Sequence, residues 1–263
     1  MSMLAAGIKK HSDIATVSEK WQPADVVVIW SGRQENPPWH DGPVLRLDGG
    51  LLHADSGDFQ RDRLSWISTG WNGVAGEADP LPIEVDGSRW AKLADTIGIE
   101  LAEPFELPAD QGHILLCRQH PGDRAAAGAD FDALLAECNA VAMGTNYAVS
   151  DRLHPIIARR NAIRQPPLGG ALEGCVLCVT FSSTSAVEAV VRGVPTVALS
   201  PKSAAYEVAA HSLEEPWTEC ANLLSEREPW AHRLAWQQWT HDELRDGTAW
   251  EFLKRCLDAQ SAN

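Results

Sequence analysis

Apolar runs alternate with polar, helix-like segments through the C-terminal part of the chain. Strands are predicted at His113–Cys117, Asn146–Leu153, Cys175–Phe181 and Pro195–Leu199. Helices are predicted between them, at Asp130–Asn139 with Asp130 as the cap and at Ser185–Arg192 with Gly193 as the stop. Strands that alternate with short helices in this way predict a parallel sheet with crossover helices.

The N-terminal part has shorter apolar runs. Asp25–Trp30 is nearly continuous in apolar residues, which is typical of a strand buried on both faces, and Ser31–Pro38 follows it as a loop. Val44–Leu47 and Leu64–Ser68 predict further strands, and Gly70–Asp79 predicts a glycine-rich loop. These elements predict a second, smaller α/β unit.

The boundary between the two units is predicted where the periodicity is lowest. Gly98–Asp110 contains two prolines and little pattern, so we divide the chain into residues 1–108 and residues 109–263. The tail Pro229–Ala259 is predicted to be helical, with a capping box at Thr240-x-x-Glu243 and a stop at Gly247.

Length and composition are those of a globular protein that can bury a sizeable core. The chain has 263 residues, of which 44% are hydrophobic and 22% charged. No apolar run reaches the length of about 18 residues that suggests a membrane span. The first residues, Met1–Lys20, are too polar for a secretory signal. We therefore expect a cytoplasmic protein.

The six cysteines are scattered, which favours reduced thiols in a chain of this size. Cys175 and Cys178 form a C-x-x-C motif inside an apparent buried strand. A zinc site would need a second ligand pair at a suitable spacing, and the sequence offers none. We expect these thiols to belong to the core.

A cluster of hydroxyl side chains lies between an apolar strand and a helix. It consists of Ser182, Ser183, Thr184 and Ser185. The free N–H groups at the start of a helix favour an anion, and small side chains let a phosphate approach closely. Helix capping is the alternative, but it needs only one such residue. The cluster therefore predicts phosphate binding.

Two more motifs follow predicted strands. Arg152-Leu-His154-Pro155 places a histidine where it can donate to the same phosphate, although a surface turn also explains a His-Pro pair. Gln119 and Asp123 follow the first strand of the C-terminal unit. Asp123 is a candidate nucleophile or base facing the cleft, whereas Pro-Gly-Asp is also ordinary turn chemistry.

The order of these motifs resembles the capsular polysaccharide Kdo transferases. The resemblance consists of a strand followed by Gln-x-x-x-Asp, then Arg-x-His-Pro, then the hydroxyl cluster with Glu188-Ala and Gly193-x-Pro downstream. It extends to other glycosyltransferases that use cytidine-nucleotide donors. Trp71-Asn-Gly73 and Trp236-x-x-Trp239 also resemble phage and prophage proteins related to that group.

The resemblance implies an α/β fold of two Rossmann-like lobes (GT-B-like), with a reduced N-terminal lobe and a C-terminal helical tail. Residues 1–108 would face the acceptor, and residues 109–263 would bind the nucleotide sugar. Asp123 and His154 would be catalytic. The donor phosphate and nucleotide would be bound by Arg152, Ser182, Ser183, Thr184, Ser185 and Glu188. The acceptor side would include Asn72, Glu77, Asp79 and Gln119, although a flexible surface loop also explains the first three.

Two departures from that family are visible. The chain is short for two full Rossmann lobes, and an additional pair, His120-Pro121, competes with His154-Pro155 for the same role. A metal-dependent transferase typically carries Asp-x-Asp, and the nearest sequence, Asp58-Phe-Gln-Arg-Asp62, does not fit. We therefore expect neither a metal nor a cofactor, with the nucleotide sugar as the substrate.

The acceptor and the activity itself stay open at this stage. The acceptor would be a polysaccharide or a hydroxymethylated base in phage DNA. The net charge of −14 disfavours DNA unless Arg159, Arg160 and Arg164 form a local basic strip. The alternatives are a non-catalytic nucleotide-binding protein of a phage and a sugar-nucleotide epimerase. No membrane span or protein partner is evident.

Overall fold

A computed structural model of the chain describes residues 1–18, 20, 22–30, 40–52, 59–104 and 112–262. The loop predicted at Ser31–Pro38 and the domain boundary predicted near residue 108 lie outside the described residues.

The described residues form helices and two sheets in the following order. The first part contains α1 (Ser2–Lys10), β1 (Val27–Trp30), β2 (Val44–Gly49), α2 (Phe59–Arg63), β3 (Trp66–Trp71) and α3 (Ser88–Ile97). The middle part contains β4 (His113–Cys117), α4 (Phe131–Met143), β5 (Ala148–Arg152), α5 (Pro155–Arg160), α6 (Leu168–Leu172), β6 (Cys175–Thr180), α7 (Ser185–Val191) and β7 (Thr196–Ala198). The tail contains α8 (Pro216–Asn222), α9 (Arg227–Ala235), β8 (Gln238–Thr240), α10 (His241–Asp246) and α11 (Thr248–Ser261).

The second sheet is entirely parallel, as the sequence pattern predicts. Its four strands lie in the order β5-β4-β6-β7. The chain therefore passes from β4 to β5 on one side, and then crosses β4 to reach β6 on the other side. The outward connections of β4 and β6 diverge, which opens a crevice at their carboxyl ends.

Burial on both faces explains why β4, β6 and β7 are nearly continuous in apolar residues, whereas the edge strand β5 is partly polar and has no buried residue. Every residue of β6 is buried, and α4 covers one face while α6 and α7 pack on the other. The predicted cap of α4 is confirmed, because one carboxylate oxygen of Asp130 accepts from the N–H groups of Asp132 and Ala133 at 3.1 and 3.0 Å.

The first sheet is mixed, which differs from the Rossmann-like sheet that we predict for this part. Its order is β1-β2-β3-β8, and only β1 and β2 are parallel. The physical reason is that the chain turns back from β2 to β3 without crossing the sheet, and that the edge beyond β3 is taken by β8 from the tail.

The tail packs against the first sheet and is not wholly helical as predicted, because β8 interrupts it. The capping box is confirmed: the Thr240 hydroxyl accepts from the Glu243 N–H at 3.2 Å, and the Glu243 carboxylate accepts from the Thr240 N–H at 2.9 Å. Gly247 ends α10 at a φ of 95°, as predicted. Gly7 lets α1 approach α10, since a Cβ there would collide with the Leu244 carbonyl oxygen.

A buried ion pair joins α3 to the tail. The side chains of Arg89 and Glu243 are 7% and 8% exposed, and Arg89 Nη2 lies 3.0 Å from Glu243 Oε2. Lys92 Nζ donates to Glu243 Oε1 at 2.7 Å, and the Arg89 guanidinium lies 3.8 Å from the ring centroid of Trp239. Burial alone raises the pKa of Glu243, but the hydrogen bonds from Arg89 and Lys92 outweigh it and lower the pKa to about 2.

Glu243→Gln is expected to lower the free energy of unfolding by about 3 kcal/mol at neutral pH, because it leaves the buried Arg89 without its carboxylate. The lowered pKa of Glu243 stabilises the fold fully above pH 4.5, and this contribution is lost as the pH falls toward about 2. The difference between wild type and variant in urea denaturation should therefore shrink over that interval.

The matched control is Glu228→Gln, since the Glu228 side chain is 76% exposed and its replacement should change the free energy of unfolding by no more than about 0.5 kcal/mol. A Glu243→Gln deficit that stays constant from pH 7 to pH 2.5 would contradict the role assigned to the ion pair.

Candidate functional site

A cleft of about 970 Å³ lies at the carboxyl ends of β4, β5 and β6. This is the crevice where the connections of the parallel sheet diverge, and such crevices are the usual ligand sites of open α/β sheets. The segment 152–168 and the start of α7 form most of the cleft lining. Leu51, Leu52 and Asp62 from the first part of the chain line the opposite wall.

Three of the four predicted hydroxyl residues line the cleft. Ser183, Thr184 and Ser185 lie between β6 and the first turn of α7. The Ser183 hydroxyl accepts from the Ser185 N–H at 3.2 Å and lies 3.0 Å from the Ser185 hydroxyl, whereas Thr184 is exposed. One hydroxyl therefore organises the turn, and the cluster presents the others at the cleft surface.

The fourth hydroxyl, Ser182, belongs to a buried network centred on Gln119. The side-chain oxygen of Gln119, Oε1, accepts from the Ser182 N–H at 2.8 Å, and the side-chain NH₂ group of Gln119 donates to the Ser182 hydroxyl at 3.0 Å. The Ser182 hydroxyl in turn donates to the Ala125 carbonyl at 2.9 Å. Gln119, predicted for the acceptor side, is 6% exposed and ties the end of β4 to the end of β6.

His154 caps α5 and lines the cleft. Its Nδ1 accepts from the Ile156 N–H at 3.3 Å, which assigns the proton of the neutral ring to Nε2. Burial, together with the positive charges of His120 and Arg63, lowers the pKa of His154 to about 4. At neutral pH His154 is therefore an uncharged ring that carries an Nε2–H donor.

His120, the competing histidine, lies in the turn after β4 and outside the cleft lining formed by described residues. Its Nδ1 accepts from the Gly122 N–H at 3.0 Å, and its ring centroid lies 5.7 Å from that of His154 in an edge-to-face arrangement. The geometry favours His154 as the histidine that meets a ligand.

Two arginines at neighbouring strand ends differ in how their charge is compensated. Arg118 is held by Asp151 and Asp132, with Nε and Nη1 each 2.8 Å from a carboxylate oxygen, and hydrogen bonding to these carboxylates raises its pKa. Arg152 donates from Nη1 to the neutral carbonyl of Pro166 at 2.7 Å. Arg152 therefore brings a positive charge into the cleft that no described carboxylate pairs with.

Glu188 also lines the cleft, as expected for a nucleotide-binding residue, and one of its carboxylate oxygens lies 3.1 Å from Arg192 Nη2. Asp123 is exposed and does not belong to the described lining. One Asp123 oxygen accepts from the Ala125 N–H at 3.0 Å, and the other lies 3.3 Å from the Gln119 NH₂ nitrogen. Asp123 thus caps the turn beside the cleft.

The three candidates on the glycine-rich loop hold that loop together. Asn72 adopts a left-handed φ of 58°. Its Oδ1 accepts from the Val44 N–H at 3.1 Å, and its Nδ2 donates to Asp79 at 2.7 Å. Glu77 forms an ion pair with Lys202 at 3.4 Å. Among the residues that the structure describes, none of these three lines the cleft.

Two solved structures of transferases are similar to this chain. The first is Thermosulfurimonas dismutans KpsC, β-Kdo 2,7 transferase, with a TM-score of 0.49 and 12% identity over 92% of this chain and 86% of that chain. The second is Thermosulfurimonas dismutans KpsC, β-Kdo 2,4 transferase, with a TM-score of 0.44 and 15% identity over 73% of this chain and 72% of that chain.

Both structures are Kdo transferases. No protein-family model and no curated protein matches the chain.

The sequence motifs did not single out every residue that lines the cleft. Arg159 and Arg164, considered above only as a basic strip for DNA, both line it, as do Leu51 and Leu52. One signal was available: residues 153–172 contain no Asp or Glu, in a chain with 36 acidic residues. A stretch that contains three arginines and no acidic residue favours a locally positive surface.

The cysteines fit the core role expected of them. All six are free and buried, and burial raises the pKa of Cys175 to about 12. Across residues 1–262, apart from the undescribed gaps, no group of three or more His, Cys, Asp and Glu side chains is arranged to hold a metal ion. None of the described helices is both long and apolar enough to cross a bilayer.

If the cleft binds a nucleotide phosphate through His154, then His154→Ala is expected to weaken that binding about tenfold, the usual cost of losing a hydrogen bond to a charged group. His120→Ala is the matched control and should change the dissociation constant less than about twofold. Calorimetry with each variant measures both. Because the pKa of His154 is about 4, its contribution should be constant from pH 6 to pH 8. Equal affinity of wild type and His154→Ala would exclude His154 from the phosphate site.

Proposed function

We propose that this protein is a metal-independent glycosyltransferase that moves a sugar from a nucleotide-sugar donor to an acceptor. The observation that supports the proposal best is the composition of the cleft. Hydroxyl groups, a neutral histidine that carries an Nε2–H, and arginine charges converge at the carboxyl ends of adjacent parallel strands. This combination suits a phosphate that gains negative charge as a sugar departs.

The donor phosphate would lie between the Ser183–Ser185 turn and His154, with Arg152 at its side. As the bond between sugar and phosphate breaks, these donors stabilise the charge that develops on the phosphate oxygens. Preorganised donors of this kind contribute about 3 kcal/mol each to lowering a barrier. The positive charge of Arg152 would compensate the negative charge of the leaving phosphate, as a divalent cation does in metal-dependent transferases.

Asp123 is the proposed nucleophile or base. In a retaining reaction its carboxylate would attack the anomeric carbon while the nucleotide leaves. The acceptor hydroxyl would then displace the Asp123 carboxylate and pass its proton to the departed phosphate. In an inverting reaction it would take the proton of the acceptor hydroxyl as that oxygen attacks. The carboxylate is close enough to His154 for its charge to oppose the lowering of that histidine's pKa, which is consistent with a position at the edge of the cleft.

We propose that the acceptor is a hydroxyl group of a polysaccharide, in preference to a hydroxymethylated base in DNA. Arg159, Arg160 and Arg164 are all exposed, as a basic strip requires. However, Arg159 and Arg164 line the donor cleft, so they do not form a separate track for a nucleic acid backbone. A formal charge of −14 on the chain also repels a polyanion.

The test is calorimetry with CMP, CDP, UMP, UDP, GDP and their sugar conjugates, in EDTA and in Mg²⁺, followed by incubation of the bound donor with and without polysaccharide. Acceptor-dependent release of nucleotide, equal in EDTA and in Mg²⁺, supports the transferase. Interconversion of the donor without an acceptor would indicate an epimerase instead. Selective binding without any turnover would indicate a nucleotide-binding module.

Replacing Asp123 separates chemistry from turn structure. Asp123→Asn keeps an oxygen that accepts from the Ala125 N–H, so the stability should change little, whereas Asp123→Ala should lose about 1 kcal/mol. If Asp123 is the nucleophile or base, both variants should lose at least about a hundredfold in kcat while binding the donor as wild type does. Full activity of Asp123→Asn would show that Asp123 is not catalytic and only caps the turn.

A further inference from the structure

The turn that follows α5 brings two arginines back to the cleft. The Ile163 N–H donates to the Ala158 carbonyl at 2.9 Å, and the Ala162 N–H donates to the Arg159 carbonyl at 3.2 Å. These two hydrogen bonds form a Schellman motif, which ends a helix with one residue in the left-handed conformation. That residue is Ala162, at a φ of 55°. The reversal leaves Arg159 and Arg164 on opposite sides of the turn, both lining the cleft.

The left-handed position of this turn is occupied by Ala162, although glycine is the favoured residue in that conformation. A side chain in this conformation costs about 1 kcal/mol. The segment is nevertheless fixed to the strand end on both sides, because Arg152 donates to the Pro166 carbonyl at 2.7 Å and Gln165 donates to the Leu153 carbonyl at 2.6 Å. The positions of Arg159 and Arg164 along the cleft are therefore built into the backbone.

The charges of these two arginines are not compensated by the protein. The side chains of Arg159 and Arg164 form no hydrogen bond or ion pair with any residue that the structure describes. Two other charged residues of the lining are paired, since Arg118 lies against Asp151 and Asp132 and Glu188 lies against Arg192. Together with Arg152, the cleft holds three guanidinium groups without a carboxylate partner among those residues.

We propose that Arg159 and Arg164 form a second anion subsite that takes the second phosphate of a nucleoside diphosphate. The inference rests on the proposed function and extends it, because it makes the donor a nucleoside diphosphate sugar instead of a nucleoside monophosphate sugar.

The count of charges supports a diphosphate. A sugar linked to a nucleoside monophosphate has one negative charge on its phosphate, and a sugar linked to a nucleoside diphosphate has two. The hydroxyl cluster, His154 and Arg152 suffice for one phosphate. Two further arginines fit a second phosphate, because a guanidinium group binds phosphate oxygens through paired N–H donors. They would also supply the countercharge when no divalent cation is bound.

The test compares UDP with UMP and CDP with CMP, by calorimetry in EDTA, on wild type, Arg159→Gln and Arg164→Gln. The matched control is Arg160→Gln, which removes an equal charge from α5, the helix that contains Arg159, but lies outside the described lining of the cleft. We expect diphosphates to bind wild type at least about tenfold more tightly than monophosphates. Each lining variant should remove roughly tenfold of diphosphate affinity and change monophosphate affinity less than about twofold. Arg160→Gln should leave both unchanged.

Three results would overturn the subsite. Equal affinity of diphosphates and monophosphates for wild type would do so while leaving the nucleotide site intact. Equal losses for both kinds of nucleotide, or the same losses in Arg160→Gln, would indicate a general electrostatic effect. A nucleoside monophosphate sugar that carries a carboxylate on its sugar is the third case. If it binds as tightly as CDP and loses this affinity in the same two variants, the arginines bind a sugar carboxylate. If no nucleotide binds at all, the proposed function itself fails.

Discussion

The carboxamide of Gln119 joins the two strand ends on which the candidate site is built. Parallel strands whose connections diverge leave an open crevice at their carboxyl ends, and side chains there need a fixed scaffold to converge on one ligand. Gln119 bonds both the backbone and the hydroxyl of Ser182, with distances of 2.8 and 3.0 Å. The positions of the hydroxyl cluster and of the Asp123 turn relative to each other depend on this one buried amide.

The opposite wall of the cleft depends on the C-terminal tail. The side-chain oxygen of Gln238 accepts from the N–H groups of Leu51 and Leu52 at 2.8 and 2.9 Å, and these two leucines line the cleft. Gln238 is fully buried, and the ion pair between Arg89 and Glu243 anchors the same part of the tail. Residues far apart in the chain therefore shape the wall of the cleft that contains Leu51 and Leu52.

The local elements could be predicted because their causes are local. β4 and β6 are continuous apolar runs, Asp130 is a helix cap, and Thr240 with Glu243 forms a capping box within one turn of helix. The mixed first sheet could not be predicted in the same way. Its edge strand, β8, pairs with β3 across most of the chain, and no local pattern specifies which distant strand will occupy a sheet edge.

The sequence by itself determined the parallel sheet and the strand-end motifs, because periodicity and capping depend on neighbouring residues. Only the tertiary structure decided what each side chain does. Ser182 and Gln119 are used to join strands, Asn72 and Asp79 close a loop, and Arg159 and Arg164 face the cleft. The physical reason is that a polar side chain becomes a scaffold or a binding group according to whether folding supplies it with a partner, and that partner comes from a distant segment of the chain.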